Sequence, residues 1–162
     1  MNMRKSMVAA CALALLAACS PNSSEAGAQS TQAGAVHPES GLTVIPLTVT
    51  HAGKQHVFRV ELAKSAMEQA KGMMFRTSMG ADEGMIFPLD PPRGAVFWMK
   101  NTVLPLDLIF VGVDGKISNI AANAKPYDET PLPSVGLAKA VLELNAGRAA
   151  ELGIVPGDTV DW

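Results

Sequence analysis

The sequence has little cysteine, no excess of basic charge and no apolar run long enough to cross a bilayer comfortably. Its apolar stretch at residues 7–18 is too short for a transmembrane helix. Fifteen acidic residues against 13 basic ones argue against nucleic acid and anionic headgroups as partners. A G-x-S-x-G motif, a glycine-rich phosphate loop and a cysteine with a histidine partner are also missing, so these chemistries are not indicated.

The apolar stretch follows a short basic start and ends in Leu-Ala-Ala-Cys at residues 16–19. This arrangement resembles the bacterial lipoprotein cleavage signal. The resemblance implies removal of residues 1–18 and attachment of lipid, palmitate included, to Cys19. The alternative is an ordinary secretory signal peptide cut nearby, with Cys19 left as a free thiol.

Processing at Cys19 changes the charge and cysteine content of the protein. It removes Arg4, Lys5 and Cys11, which lowers the basic count from 13 to 11 against 15 acidic residues, a formal charge of −4. With Cys19 acylated, no disulfide is available, and the domain depends on its hydrophobic core.

The predicted domain organisation has three parts. A signal peptide covers residues 1–18, and the lipidated Cys19 with a disordered tether covers residues 19–41. The stretch 20–40 contains no Leu, Ile, Phe, Met, Trp or Tyr and cannot bury a core. A single β-rich domain then covers residues 42–162. We expect an exported protein, lipid-anchored and facing the periplasm, and Ser20 in place of an aspartate after the cysteine favours the outer membrane.

Short strands dominate the pattern of the domain. Alternating or apolar runs predict strands at 45–49, 58–62, 85–89, 96–99, 106–111, 116–120, 141–144 and 159–162. Asp114-Gly115 predicts a tight hairpin. Ser65 with Glu68 predicts a helix that Gly72 ends, and a second helical turn is predicted over 146–152 with Gly153 as its stop. The fold class is therefore mainly β, a compact antiparallel jelly-roll-like barrel or sandwich with one or two short helices.

Several sequence blocks occur together in a specific order. They are KGMMFR at 71–76, GMIF at 84–87, FWMKNT followed by LPLD at 97–107, VLELNAG at 141–147 and GIVPGD at 153–158. This series resembles the domain-of-unknown-function 192 family over about residues 57–162. The resemblance implies a compact, mainly β, jelly-roll-like barrel, often behind a signal peptide, and implies no activity.

The stretch 97–110 admits two interpretations. If residues 96–100 and 106–111 form neighbouring strands, Lys100 and Asp107 come close enough for an ion pair, and Asn101 caps the turn between them. Alternatively Lys100, Asn101, Asp107 and Glu143 meet at one mouth of the barrel as a ligand site. Trp98 shares a face with Lys100 and is then a stacking platform for sugars.

These residues leave three functions open. The main expectation is a non-catalytic binding or accessory module for an envelope component, either a polysaccharide or a secreted protein. The first alternative is a hydrolase of cell-wall or exopolysaccharide material that uses Glu143 and Asp107 as a carboxylate pair. A minor alternative is copper binding by methionines. No cofactor and no metal site are predicted, since His51 and His56 flank a turn with no third ligand.

Overall fold

The computed structural model describes residues 34–162. The predicted signal peptide, Cys19 and most of the predicted tether lie outside the described residues. Within residues 34–162, no helix is both long and apolar enough to span a membrane.

The mainly β fold predicted from the sequence is confirmed. Residues 34–162 form nine strands and two short helices, namely β1 Val44–His51, β2 Lys54–Leu62, α1 Ala66–Lys71, β3 Glu83–Arg93, β4 Val96–Phe97, β5 Leu106–Gly112, β6 Ile117–Ala124, β7 Leu132–Pro133, β8 Ala138–Asn145, α2 Arg148–Leu152 and β9 Thr159–Asp161. Seven strands form one sheet in the order β6-β5-β8-β3-β2-β1-β9, and β4 pairs with β7 in a small second sheet. The arrangement is sandwich-like, and the large sheet does not close into a barrel.

The local signals in the sequence produce the elements that they predict. Ser65 caps α1 by accepting the Glu68 amide at 3.2 Å, and Glu68 in return accepts the Ser65 amide at 2.7 Å. Gly72 ends α1 as predicted, and Gly153 ends α2 in the left-handed conformation. In the β5–β6 hairpin, Gly115 adopts a φ of 81° that glycine tolerates.

The large sheet is mixed, whereas the sequence analysis predicts an antiparallel arrangement. Strands β2 and β3 run parallel, with Val60 opposite Gly84, while the other pairs in the sheet are antiparallel. Parallel neighbours need a crossover, because the chain must return to the starting end of the first strand. Residues 63–82, which include α1, supply this crossover.

Two apolar clusters cover the two faces of the large sheet. One cluster takes side chains from all seven strands and packs against α2 through Ala149. The other lies mainly on the opposite face of β3, β5 and β8 and includes Met85, Leu108 and Val141. Phe97 of β4 joins this second cluster by edge-on contacts with Phe87 at 5.2 Å and Phe110 at 6.2 Å between ring centroids. Because both faces are covered, β5 is buried at every residue.

The two edge strands of the large sheet meet at one end. The Ile117 amide donates to the Asp158 carbonyl at 2.8 Å, the Gly157 amide to the Ile117 carbonyl at 2.8 Å, and the Val160 amide to the Gly115 carbonyl at 2.9 Å. These bonds join the start of β6 to the segment that leads into β9. The pairing does not continue along the two strands, so the sheet stays open.

Residues 35–41, which the sequence analysis assigns to the tether, pack on the domain. The Val44 amide donates to the Ala35 carbonyl at 2.6 Å, and Val36 bridges Thr43. Arg76 then holds the segment from the domain side, since its Nε lies 3.3 Å from Glu39 Oε2. Residues 35–41 therefore belong to the folded domain, before the predicted start at Leu42, because the buried Arg76 binds polar residues that carry no apolar signal.

Candidate functional site

A cleft of about 330 Å³ opens between α1, the C-terminal part of β3 and the segment that contains β4. Its buried lining consists of Met73, Phe87, Leu89, Thr102 and Glu143. Its exposed lining consists of Ala70, Lys71, Arg93, Val96 and Trp98. The buried residues therefore form the floor of the cleft and the exposed ones its rim. The volume is at the lower end of the range for small-molecule sites.

Glu143 is the acidic side chain in this cleft. It lies on β8 opposite Met85 of β3 and Leu108 of β5, and it is 5% exposed. Its Oε2 atom is buried without a hydrogen-bond partner. Burial raises the pKa of Glu143 to about 8, since desolvation disfavours the charged form. The side chain is thus a protonated carboxylic acid at neutral pH, able to donate a hydrogen bond into the cleft.

Two other buried side-chain atoms in residues 34–162 have no partner, Nε2 of His56 and Nε of Arg148. Neither residue lines the cleft. Burial also lowers the pKa of His56, so its imidazole is kept neutral. Of these three residues with an unpartnered buried atom, Glu143 is therefore the one that lines the cleft.

Trp98 forms part of the rim and is 52% exposed. The Lys100 ammonium lies 5.9 Å from the centroid of the Trp98 ring, at the outer limit of a cation–π contact. Trp98 and Glu143, which the sequence analysis places in one candidate site, do line the same cleft. Lys100 is exposed beside Trp98 and is not part of the lining.

Two loops with left-handed residues support the rim. Phe75 has a φ of 65° and Asn101 a φ of 53°, a conformation that costs energy for residues with a side chain. The Phe75 amide donates to the Asn101 carbonyl at 2.9 Å, and Asn101 Nδ2 contacts Met74 Sδ at 3.9 Å. Asn101 therefore holds the two loops together rather than lining the cleft.

Asp107 is fully buried and belongs to the scaffold. Its Oδ1 accepts the amides of Asn123 at 2.8 Å and Gly147 at 3.1 Å, and its Oδ2 accepts the amide of Ala149 at 3.0 Å. The ion pair between Lys100 and Asp107 considered in the sequence analysis is not among the ion pairs of residues 34–162. The reason is that β4 pairs with β7 and not with β5, so Lys100 and Asp107 are not on neighbouring strands.

The register of β5 and β8 separates the two candidate carboxylates. Asp107 lies opposite Leu144, and Glu143 lies opposite Leu108. Directly paired residues share a face and successive residues alternate, so Asp107 and Glu143 point to opposite faces of the sheet. They cannot act as a pair on one substrate, which removes the geometric basis for the hydrolase alternative.

A second groove of about 270 Å³ lies on the other side of Gly72, next to the exposed Met67 and Phe75. Its charged groups other than Lys71, which lines both grooves, are already paired. Arg76 Nη1 lies 2.8 Å from Glu61 Oε1, and Glu68 is used in the cap of α1. The sequence analysis missed the Arg76–Glu61 pair, because the two residues are brought together only by the crossover.

The described residues do not support a metal site. Within 34–162, no group of three or more His, Cys, Asp or Glu side chains is placed to hold a metal ion. His51 contacts Asp158 through Nδ1 at 3.0 Å and is thereby occupied. Met73, Met85 and Met99 are buried in one apolar cluster, where methionine fills space.

A family comparison matches residues 47–162 of the chain. The chain belongs to the DUF192 family. The family is described as "Uncharacterized ACR", so membership assigns no activity. No protein of curated function matches the chain at a significant level.

Two solved structures are similar to this DUF192 protein. The first is a protein of unknown function from Novosphingobium aromaticivorans DSM 12444, with 62% sequence identity and a TM-score of 0.79, covering 82% of this chain and 94% of that one. The second, from Sinorhizobium meliloti 1021, is described as a "putative transcription regulator", with 39% identity and a TM-score of 0.72, covering 74% of this chain and 94% of that one.

Proposed function

We propose that the protein is a lipid-anchored envelope protein whose domain is a non-catalytic binding module, and that the Glu143 cleft receives an apolar group of its ligand. The envelope component that presents this group is either a polysaccharide or a secreted protein, as expected from the sequence. The lipoprotein-type sequence at residues 16–19 supports the location.

One observation carries the binding role. Glu143 Oε2 is buried without a partner in the floor of a cleft whose other buried lining is largely apolar. A buried polar atom without a partner costs about 1–3 kcal/mol, and a ligand that supplies the partner recovers this cost. A buried polar group among apolar walls is the usual composition of a small-ligand site.

The experiment uses a neutral fluorescent probe, N-phenyl-1-naphthylamine, whose emission rises in apolar surroundings. We expect saturable binding to the mature protein. Ala70 lies on the exposed rim, so Ala70→Phe fills the mouth of the cleft without entering the core. This variant is expected to weaken probe binding at least about tenfold, the equivalent of about 1.4 kcal/mol.

The matched control is Ala66→Phe, which places the same ring on the same helix at an exposed position outside the cleft lining. It should bind the probe as the unmodified protein does. Equal binding by both variants would show that the probe sits elsewhere, and absence of saturable binding to the unmodified protein would overturn the proposed function.

A further inference from the structure

The rim of the Glu143 cleft carries positive charge. Lys71 at the end of α1 and Arg93 at the end of β3 both line the cleft and are exposed. Lys100 adds a third cation beside Trp98. Apart from Glu143 on the floor, no acidic residue lines this cleft within the described part of the chain. A ligand group that stays at the rim therefore meets a positive potential, although the domain as a whole is not basic.

The walls between rim and floor are apolar. Phe97 of β4 and Met74 after α1 are half-buried apolar residues of the lining, next to the buried Leu89 and Met73. Of the uncharged polar side chains in the lining, Trp98 lies at the rim, while Gln69 and Thr102 donate hydrogen bonds to backbone carbonyls. Gln69 Nε2 donates to the carbonyls of Ala63 at 3.1 Å and Pro88 at 2.7 Å, and Thr102 Oγ1 donates to the Lys100 carbonyl at 3.1 Å. The middle of the cleft is therefore suited to hydrocarbon.

The cleft has cations at its rim, an apolar middle and a buried acid at its floor, and from this order we propose that the part of the ligand that enters it is an anionic amphiphilic group. Its anionic group lies at the rim near Lys71 and Arg93, its apolar body fills the cleft, and its buried end carries a hydrogen-bond acceptor that contacts Glu143. This inference rests on the proposed function and adds the chemical class of the ligand. A cleft of about 330 Å³ suits a single chain or ring better than a two-chain lipid held in a bilayer.

The surroundings of Glu143 indicate that the buried end of the ligand carries a hydrogen-bond acceptor. The charged groups that line the same cleft are Lys71 on α1 and Arg93 on β3, both at the rim, and the residues paired with Glu143 across the sheet are Met85 and Leu108. No cation therefore balances an ionised Glu143 at the floor, and burial keeps the pKa of its carboxyl at about 8. The protonated acid donates to an oxygen acceptor, and the cationic rim disfavours a positively charged ligand.

The test compares probes that share one alkyl body and differ at one end. The probes are decanoate, decanol and decylammonium, each below its micelle concentration at pH 7, titrated into the mature protein by calorimetry. We expect decanoate to bind tightest and decylammonium at least about fivefold more weakly, the upper range for exposed charge contacts. A fourth probe, 10-hydroxydecanoate, carries an acceptor at the buried end and is expected to bind about twofold to tenfold tighter than decanoate.

Variants connect each preference to its residue. Lys71→Gln and Arg93→Gln are each expected to weaken decanoate about twofold to fivefold and to leave decanol unchanged. The control Arg59→Gln removes an exposed cation of β2 that does not line the cleft and should change neither. Glu143→Leu should abolish the advantage of 10-hydroxydecanoate, whereas Glu143→Gln keeps a donor and should retain it.

The outcomes separate this inference from the proposed function. Equal affinity for decanoate, decanol and decylammonium, or failure of all three while N-phenyl-1-naphthylamine still binds in the cleft, would overturn the ligand class and leave the binding module standing. Failure of every probe overturns both. Binding to vesicles of phosphatidylglycerol in phosphatidylcholine without binding of free decanoate would identify a membrane surface as the source of the charge and would overturn the assignment of a single amphiphilic group outside the bilayer.

Discussion

The amide of Ala149 donates a hydrogen bond to Asp107 Oδ2 at 3.0 Å, joining two residues 42 positions apart. The same carboxylate accepts the amides of Gly147 and Asn123 through Oδ1. Asp107 therefore attaches the turn before α2 and the end of β6 to the buried strand β5. Its burial is compensated by three backbone donors, which satisfy both carboxyl oxygens.

Asp107→Asn should destabilise the domain without altering the cleft. The amide side chain keeps one acceptor oxygen but directs an NH₂ group towards backbone donors. We expect a loss of about 2–4 kcal/mol in the free energy of unfolding, measured by urea denaturation, because three hydrogen bonds to a fully buried carboxyl are disturbed. The control is Lys100→Ala, for which exposure on the rim side predicts a change within about 0.5 kcal/mol. Comparable losses in the two variants would mean that Lys100 and Asp107 depend on each other after all.

The buried pair of Arg76 and Glu61 should show strong coupling. Both side chains are nearly inaccessible, and Arg76 Nη2 donates to Glu61 Oε2 at 2.9 Å. Arg76→Met and Glu61→Gln should each cost about 3–5 kcal/mol, because each leaves a buried partner unpaired. The double variant should lose clearly less than the two losses added. Strict additivity in denaturation would refute the coupling. Glu39→Gln serves as control, since the exposed Glu39 contributes at most about 1 kcal/mol.

Glu143 should make the domain less stable as the pH rises. The pKa of its carboxyl is about 8 in the folded protein, against an ordinary value of 4.5. Between these values the folded state holds a proton that the unfolded state has released, so stability falls by at most about 1.4 kcal/mol per pH unit and levels off above pH 8. Glu143→Gln lacks this proton and should lose that part of the slope. Urea denaturation at several values between pH 5 and pH 9 gives the difference, and parallel curves for the two proteins would contradict the prediction.

Limited proteolysis should distinguish the first part of the predicted tether from residues 35–41, which pack on the domain. A protease that cuts after glutamate is expected to cleave at Glu25, in the polar stretch that cannot build a core. It should spare Glu39, which contacts Arg76 and lies within a hydrogen-bonded turn between His37 and Leu42. Arg76→Met should expose Glu39 to cleavage. Equal rates of cleavage at both glutamates in the unmodified protein would place the start of the stable domain later.

Cys19→Ser tests the lipid anchor. The variant lacks the thiol that receives lipid, so we expect an uncleaved precursor or a soluble exported form in fractionated cells, and no incorporation of labelled palmitate. Cys11→Ser is the matched control, because this residue lies in the predicted signal peptide and should leave lipidation intact. A processed Cys19→Ser protein that remains with the membrane would refute the lipoprotein assignment.

Local signals explain why so much of the fold can be predicted. The capping box at Ser65 and Glu68 and the hairpin at Asp114-Gly115 act over a few residues, and the structure contains both. Strand pairing is a different matter. Periodicity shows that Val60 is buried, but not that its partner is Gly84 across a parallel pair, because the side-chain alternation of a strand is the same beside any neighbour.

The candidate site shows the same limit. The alternation of β8 places Glu143 on the face opposite Leu142 and Leu144, and this deduction agrees with the structure. Whether Asp107 shares that face depends on the register between two strands far apart in sequence, which no local pattern contains. Arg93 at the rim carries no signal either, since an exposed arginine after two prolines is typical of an ordinary loop.

The contact between β6 and β9 has a consequence for self-association. An open sheet normally presents unpaired amides and carbonyls at both edges, and copies of a protein held close together can join through them. Here the Ile117 amide donates to the Asp158 carbonyl, and the Ile117 carbonyl accepts the Gly157 amide, just before the opposite edge strand β9. The Gly115 carbonyl accepts the Val160 amide of that strand. At this end, the backbone groups of one edge are hydrogen-bonded to those of the other edge. Residues 157–160 therefore leave no unpaired amide or carbonyl on Ile117 for strand-to-strand association at high local concentration.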